Sequence, residues 1–153
     1  MELKRVVVTG LGVISPIGND VETTWNNALK GVSGAGPITH FDASKFKTQF
    51  ACEVKNFNAA EHFDRKKLRQ LDLYAQYALV AAKQAVEDAN LEAESINKDR
   101  VGVIVAAGIG GLHTFEEEAG YYAVHGEEQG PKYNPFFIPK MIADIASGHI
   151  SMQ

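Results

Sequence analysis

The sequence predicts an α/β layered fold on a mainly parallel sheet, and three observations carry that prediction. Residues 5–9 and 100–107 are β-branched runs too short for helices, and each is closed by glycines. A long alanine-rich helical pattern lies between them, and strands alternating with helices mark a sheet covered by helices. The 153 residues are 45% apolar and 22% charged with a net charge of −4, which excludes disordered, collagen-like and coiled-coil chains. A chain this long buries roughly 70% of its unfolded surface, enough for one core.

Residues 5–9 (RVVVT) read as a buried first strand, ended by the turn glycines Gly10 and Gly12. Asn19 or Asp20 then caps a helix to about Lys30, with Val21, Trp25, Ala28 and Leu29 on one face and Gly31 as its stop. Residues 34–47, rich in Gly, Pro, Asp, Ser and Thr, form a long surface connection before a short strand near 50–54. From about Asp64 to Asn90 the spacing of Leu68, Leu71, Tyr74, Ala78, Ala81, Ala82, Ala85 and Ala89 predicts one long helix. Its middle, residues 75–86, carries only Gln76, Lys83 and Gln84 as polar residues, so it should be covered on most sides. Residues 100–107 (RVGVIVAA) lack alternation, which suits a parallel strand buried on both faces. After Gly108, Gly110 and Gly111 a helix to about Val124, a charged loop and a last helix from Pro139 are expected. Three strands are few for a parallel sheet, and the apolar pattern runs on to Gln153, so the chain reads as the front part of a domain.

A single cysteine, Cys52, supports neither a disulfide framework nor a Cys-rich zinc module, and points to a reducing, cytoplasmic setting. The apolar stretch 101–112 is broken by glycines and is shorter than the roughly 20 residues a membrane helix needs. The N-terminus has no signal-peptide core, and the mild acidity gives no nucleic-acid footprint.

Four sets of residues are candidates for chemistry. Gly10 and Gly12 match the first two glycines of a dinucleotide-binding turn, but Ser15 stands where the third should be, beside Pro16, and a structural turn is favoured. Cys52 has five histidines to draw on (His40, His62, His113, His125 and His149). It sits within an apparent strand, away from any glycine elbow or helix N-terminus, so a small buried apolar residue is favoured over a nucleophile. His113, Glu116 and Glu117 share a helix face, yet a solvated face is favoured over a metal site. Arg65, Lys66, Lys67 and Arg69 put four cations near the positive end of the expected long helix, where each is disfavoured by roughly 0.3–1 kcal/mol. The residues alone leave two readings open for this cluster: a docking patch for an acidic partner, or a solvated helix end.

Five segments in order resemble one family, the elongating β-ketoacyl-(acyl-carrier-protein) synthases, most closely the bacterial type II enzyme of fatty-acid synthesis. They are RVVVTGLGVISPIGN at 5–19, HFDASKF at 40–46, DRKKLRQLD at 64–72, GIGGL at 108–112 and NPFFIP at 134–139. The resemblance implies a partial thiolase-like fold, most of the first of two α/β halves, so that residues 1–153 form an incomplete N-terminal synthase domain. It implies a homodimer in the full-length form and a decarboxylative Claisen condensation of an acyl thioester with malonyl-acyl carrier protein. A cysteine takes up the acyl chain, backbone N–H groups stabilise the oxyanion, two histidines support the malonyl enolate, and no cofactor is needed. The nucleophile and both histidines of the family fall beyond the segment matching Gln153, so no catalytic residue is carried over and the chain alone should be inactive. By position, Ile109 resembles a residue bordering the acyl tail and Phe137 a pocket residue near the dimer contact. Arg65, Lys66, Lys67 and Arg69 resemble the docking site for the acidic carrier, with Gln70 where some members have another cation. Two alternatives share these motifs: a nucleophile-less chain-length factor and a polyketide ketosynthase.

Overall fold

Helices built on short-range signals carry most of the regular structure in the computed structural model, which describes residues 4–91, 94 and 96–153. Helix α1 is Val21–Leu29, capped by the Asp20 carboxylate, which accepts from Thr23 N (2.7 Å), and followed by Gly31 at φ +68°. A two-stranded antiparallel sheet follows, β1 (Gly36–Pro37) with β2 (Phe50–Ala51), Gly36 opposite Ala51. Then come α2 (Arg65–Leu68), α3 (Leu73–Asp88), α4 (Leu112–Gln129), α5 (Phe137–Met141) and α6 (Ile145–Ser151).

The residues fall into two compact units, Met1–Phe57 with Val80–Ile96, and Asn58–Leu79 with Asn97–Gln153. In the first, the segment after residue 9 lies along the second half of α3. A Cβ at Gly12 would stand 1.9 Å from the Ala81 carbonyl oxygen, and one at Gly10 2.3 Å from that of Ala85. The glycines and the small alanines together let two backbones meet. Two polar side chains of α3 satisfy the apposed chain: Leu11 N donates to Asp88 Oδ2 and Val13 N to Gln84 Oε1, both at 2.9 Å. Gln84 Nε2 in turn donates to the Asn19 carbonyl (2.8 Å). Gly10 and Gly12 therefore serve close packing on α3 rather than the turn expected there; the chain turns instead at Pro16–Ile17, between the bridged Ser15 and Gly18.

In the second unit the core is Leu71, Ala75, Leu79 and Ala146, with Phe63, Tyr74, Ala78, Val105 and Ile150 packed around it. The Ala-rich helix is covered, but its fully buried residues are Ala75, Leu79 and Val80 rather than the stripe read from the sequence, of which Tyr74 and Ala78 only pack beside the core.

Several expectations need correction. Residues 5–9 form no strand, and Val6 is 89% exposed, because no neighbouring strand among the described residues takes up their N–H and C=O groups. Residues 100–107 likewise form no strand among the described residues, Arg100 closing a 3-10 turn instead, and they alternate: Val103 and Val105 are half-buried while Ile104 is 97% exposed, so only one face is covered. The sheet observed among the described residues is antiparallel rather than parallel. On α1, Trp25 and Leu29 are exposed and no residue is buried. The helix expected over 64–90 is two helices, broken at 69–72, where Asp72 is drawn into the interior and its carbonyl accepts the first α3 hydrogen bond, from Gln76 N (3.1 Å). Helix α4 runs five residues past Val124, and the last helical stretch is split into α5 and α6. Cys52 is exposed, one residue past β2, rather than buried.

Candidate functional site

The second unit gathers the basic cluster, the GIGGL loop and the NPFFIP segment. Asp64 caps α2 by accepting from Lys67 N (2.7 Å), which sets Arg65 and Lys66 in solvent and Lys67 partly buried. Because α2 is a single four-residue turn, its first and last turns coincide, and the penalty expected at the positive end of a long helix does not arise. Arg69, also exposed, lines an open cleft of about 700 Å³ with Glu117, Glu118, Lys132 and Tyr133.

Lys67 Nζ lies 3.1 Å from His149 Nδ1 on α6. An ammonium group can only donate, so Nδ1 accepts and the imidazole is neutral with its proton on Nε2. Burial, and secondly the Lys67 charge, hold His149 below its ordinary value of 6.5.

The GIGGL loop presses on the backbone leading to α6. Gly110 has φ +86°, and a Cβ there would meet the Met141 carbonyl at 2.4 Å; Gly111 N donates to that same oxygen (2.9 Å). Two glycines permit this approach, and Ile109 beside them stays 68% exposed. The helix that follows, α4, is pinned by a buried pair: Thr114 Oγ1 donates to Asp72 Oδ2 (2.5 Å), with Thr114 N 3.3 Å from the same oxygen. Tyr74, whose hydroxyl donates to the Ile142 carbonyl, has its phenol pushed up by burial and then by Asp72 and Asp144.

Phe137 opens α5 and stacks on Phe115 of α4 (centroids 6.3 Å apart) and on Tyr133 (5.6 Å). Tyr122 continues the ladder against Tyr133 at 5.6 Å. Phe137 is half-buried, whereas Phe115, Tyr122 and Tyr133 remain largely exposed.

The sequence missed the Asp72–Thr114 pair, the aromatic ladder and the Lys67–His149 bond. An acid set directly after the core residue Leu71, inside an apolar repeat, is the one signal that pointed to the first. His113 forms an exposed pair with Glu117 (3.3 Å), and His125 lies against the Tyr121 ring (4.8 Å). Among the described residues no group of three His, Cys, Asp or Glu side chains is arranged to hold a metal ion, and no helix is long and apolar enough to cross a membrane.

The family model described as "Beta-ketoacyl synthase, N-terminal domain" matches residues 3–153. The chain belongs to the β-ketoacyl synthase family. It is 47% identical over 152 residues to 3-oxoacyl-[acyl-carrier-protein] synthase 2 of Staphylococcus aureus strain COL, covering 97% of this chain and 35% of that protein. It is 46% identical over 153 residues to the protein of the same name from Coxiella burnetii, covering all of this chain and 36% of that one. Among solved structures, the ishigamide ketosynthase/chain length factor superposes with a TM-score of 0.77 at 30% identity, over 95% of this chain and 36% of that one. The β-ketoacyl synthase chain described here thus spans about a third of the length of the curated relatives it matches, and its fold is that of a ketosynthase N-terminal region.

Proposed function

We propose that this chain is the N-terminal portion of an elongating β-ketoacyl-[acyl-carrier-protein] synthase of fatty-acid synthesis. The observation that carries the reading is 46–47% identity, over nearly the whole chain, to proteins named 3-oxoacyl-[acyl-carrier-protein] synthase 2. The full-length protein catalyses a decarboxylative condensation. An acyl chain passes from its carrier thioester to a cysteine thiolate; malonyl-carrier then loses CO₂, and the carbanion attacks the acyl-enzyme carbonyl, forming a C–C bond and releasing the cysteine. Electrostatic donors stabilise each oxyanion, and loss of CO₂ drives the step without a cofactor. The nucleophile and the two histidines are not among the residues of this chain, so residues 1–153 alone are catalytically inert.

The segment's own contributions are structural and recognitional. Ile109, exposed on a loop held by two glycines, borders the acyl tail, and Phe137 with its ring stack forms part of the acyl pocket wall near the dimer contact. Arg65, Lys66, Lys67 and Arg69 form the docking face for an acidic carrier. Residues 5–9 and 102–107, which form no strand among the described residues, pair into a mainly parallel sheet only when the remainder of the synthase supplies neighbouring strands; its surroundings are cytoplasmic and its functional form is a homodimer. Steady-state assay of the full-length protein with Lys66→Glu and Arg69→Glu tests the docking role. The KM for carrier-bound substrate should rise while turnover of a small acyl thioester is unchanged; an unchanged KM removes the patch from the reading.

A second reading, a nucleophile-less chain length factor, draws on the 30% identity to the ishigamide ketosynthase/chain length factor, whose name covers both kinds of subunit. The residue at the nucleophile position of the full-length protein separates the two.

A further inference from the structure

The four cations of residues 65–69 are not equivalent. Arg65 and Lys66 stand in solvent, while Lys67 is partly buried with its ammonium 3.1 Å from His149 Nδ1 on α6. Residues 67 and 149 are far apart in sequence, and the bond ties the short helix α2 to α6. A four-residue helix is too short to hold its own orientation in water and depends on such contacts. Asp64 fixes its first turn through Lys67 N, so both the backbone and the side chain of Lys67 are engaged. The imidazole that receives the ammonium is kept neutral by burial and by Lys67 itself, so the bond is maintained near neutral pH.

We propose that Lys67 is a positioning residue for carrier docking and not one of the cations the carrier meets: its bond to His149 holds α2 on α6 so that Arg65 and Lys66 face outward. The proposal rests on the synthase reading above and divides the cluster that the reading treats as one patch. A carrier phosphate or carboxylate approaching α2 meets Lys66 first, and reaching Lys67 would require breaking its bond to the ring.

The experiment labels the full-length synthase with an amine-reactive reagent, with and without saturating acyl carrier protein, and follows Lys66 and Lys67 separately by peptide mass spectrometry. In the free protein Lys67 should react several-fold more slowly than Lys66. Carrier should protect Lys66 and leave the rate at Lys67 unchanged. Equal protection of both lysines overturns the proposal while leaving the synthase reading intact; a protein that neither binds carrier nor condenses removes both.

A kinetic comparison supplies the second readout, using Lys66→Met and Lys67→Met, which each remove one charge and keep the length of the stem. Lys66→Met should raise the KM for carrier-bound substrate about two- to fivefold without changing kcat or the melting temperature. Lys67→Met should lower the melting temperature, with Lys67→Arg restoring it in part. A Lys67→Met protein that melts normally and shows the Lys66→Met rise in KM contradicts the proposal.

Discussion

Replacing Thr114 by Val tests whether the Asp72–Thr114 pair fixes the start of α4 and, with it, the loop carrying Ile109. The substitution keeps the side-chain volume and deletes one donor. Thr114 is 2% exposed and Asp72 7%, so water does not reach the Asp72 oxygen freely to take the place of the lost hydroxyl. The carboxylate keeps the Thr114 N–H at 3.3 Å and the Tyr74 N–H at 3.4 Å, both long, while losing its 2.5 Å partner. A hydrogen bond to a charged group contributes about 1.5–3 kcal/mol. Local opening of the first turns of α4 should therefore become easier by that amount, and amide exchange over residues 112–118 should speed up roughly tenfold to a hundredfold. Hydrogen exchange read by mass spectrometry on that peptide, with residues 21–29 of α1 as an internal control, measures it directly. Exchange within twofold of the parent protein over 112–118 would refute the assignment of the pair as the anchor of α4.

Three further outcomes are expected. Gly12→Ala, whose Cβ would stand 1.9 Å from the Ala81 carbonyl oxygen, should destabilise the protein by about 1–3 kcal/mol in chemical denaturation, and an unchanged midpoint would contradict the close packing on α3. Ile109→Trp should lower kcat/KM for the longest acyl chains accepted by the full-length synthase about tenfold or more and leave short chains near normal; uniform loss across chain lengths would place Ile109 outside the acyl path. His149, held below 6.5 in the fold, takes up its proton less readily than in the unfolded chain, so its contribution to stability is present above about pH 6.5 and is lost as pH falls through that value toward the folded one. A thermal melt series from about pH 7.5 to 5.5 should show a drop that His149→Gln reduces; an identical drop in both proteins would contradict it.

What could be read from the sequence were features whose cause is local. The Asp20 cap and Gly31 stop of α1 follow from side-chain oxygens and left-handed backbone, and both were legible. The alanines that admit Gly10 and Gly12 against α3, Ala81, Ala85 and Ala89, were legible as periodicity, whereas the buried Ala75 lay outside the stripe that was read. The strands at 5–9 and 100–107 were read as buried because β-branched runs record a preference for pairing, while pairing itself needs a neighbouring strand. The break at 69–72 was hidden for a similar reason. Asp72 keeps the helical spacing of its neighbours, and what turns the chain there is a bond to Thr114, 42 residues away. In the site, Gly110 and Gly111 were legible as motif glycines, and their close approach to the 140–143 backbone is what the missing Cβ allows; Ile109, Phe137 and the cations were assigned by motif position alone. The stack of Phe137 on Phe115 and Tyr133, and the bond of Lys67 to His149, arise from tertiary contacts that no spacing encodes.

The most direct test of the synthase reading is to incubate the full-length protein bearing this segment with an acyl-acyl carrier protein and carbon-14 malonyl-acyl carrier protein labelled at the free carboxyl, and to follow the release of labelled CO₂ together with product mass. The account predicts acyl-dependent CO₂ release matched one for one by a 3-oxoacyl-carrier two carbons longer. Decarboxylation or carrier binding with no chain extension, under conditions where a known synthase extends the same substrate, would contradict it.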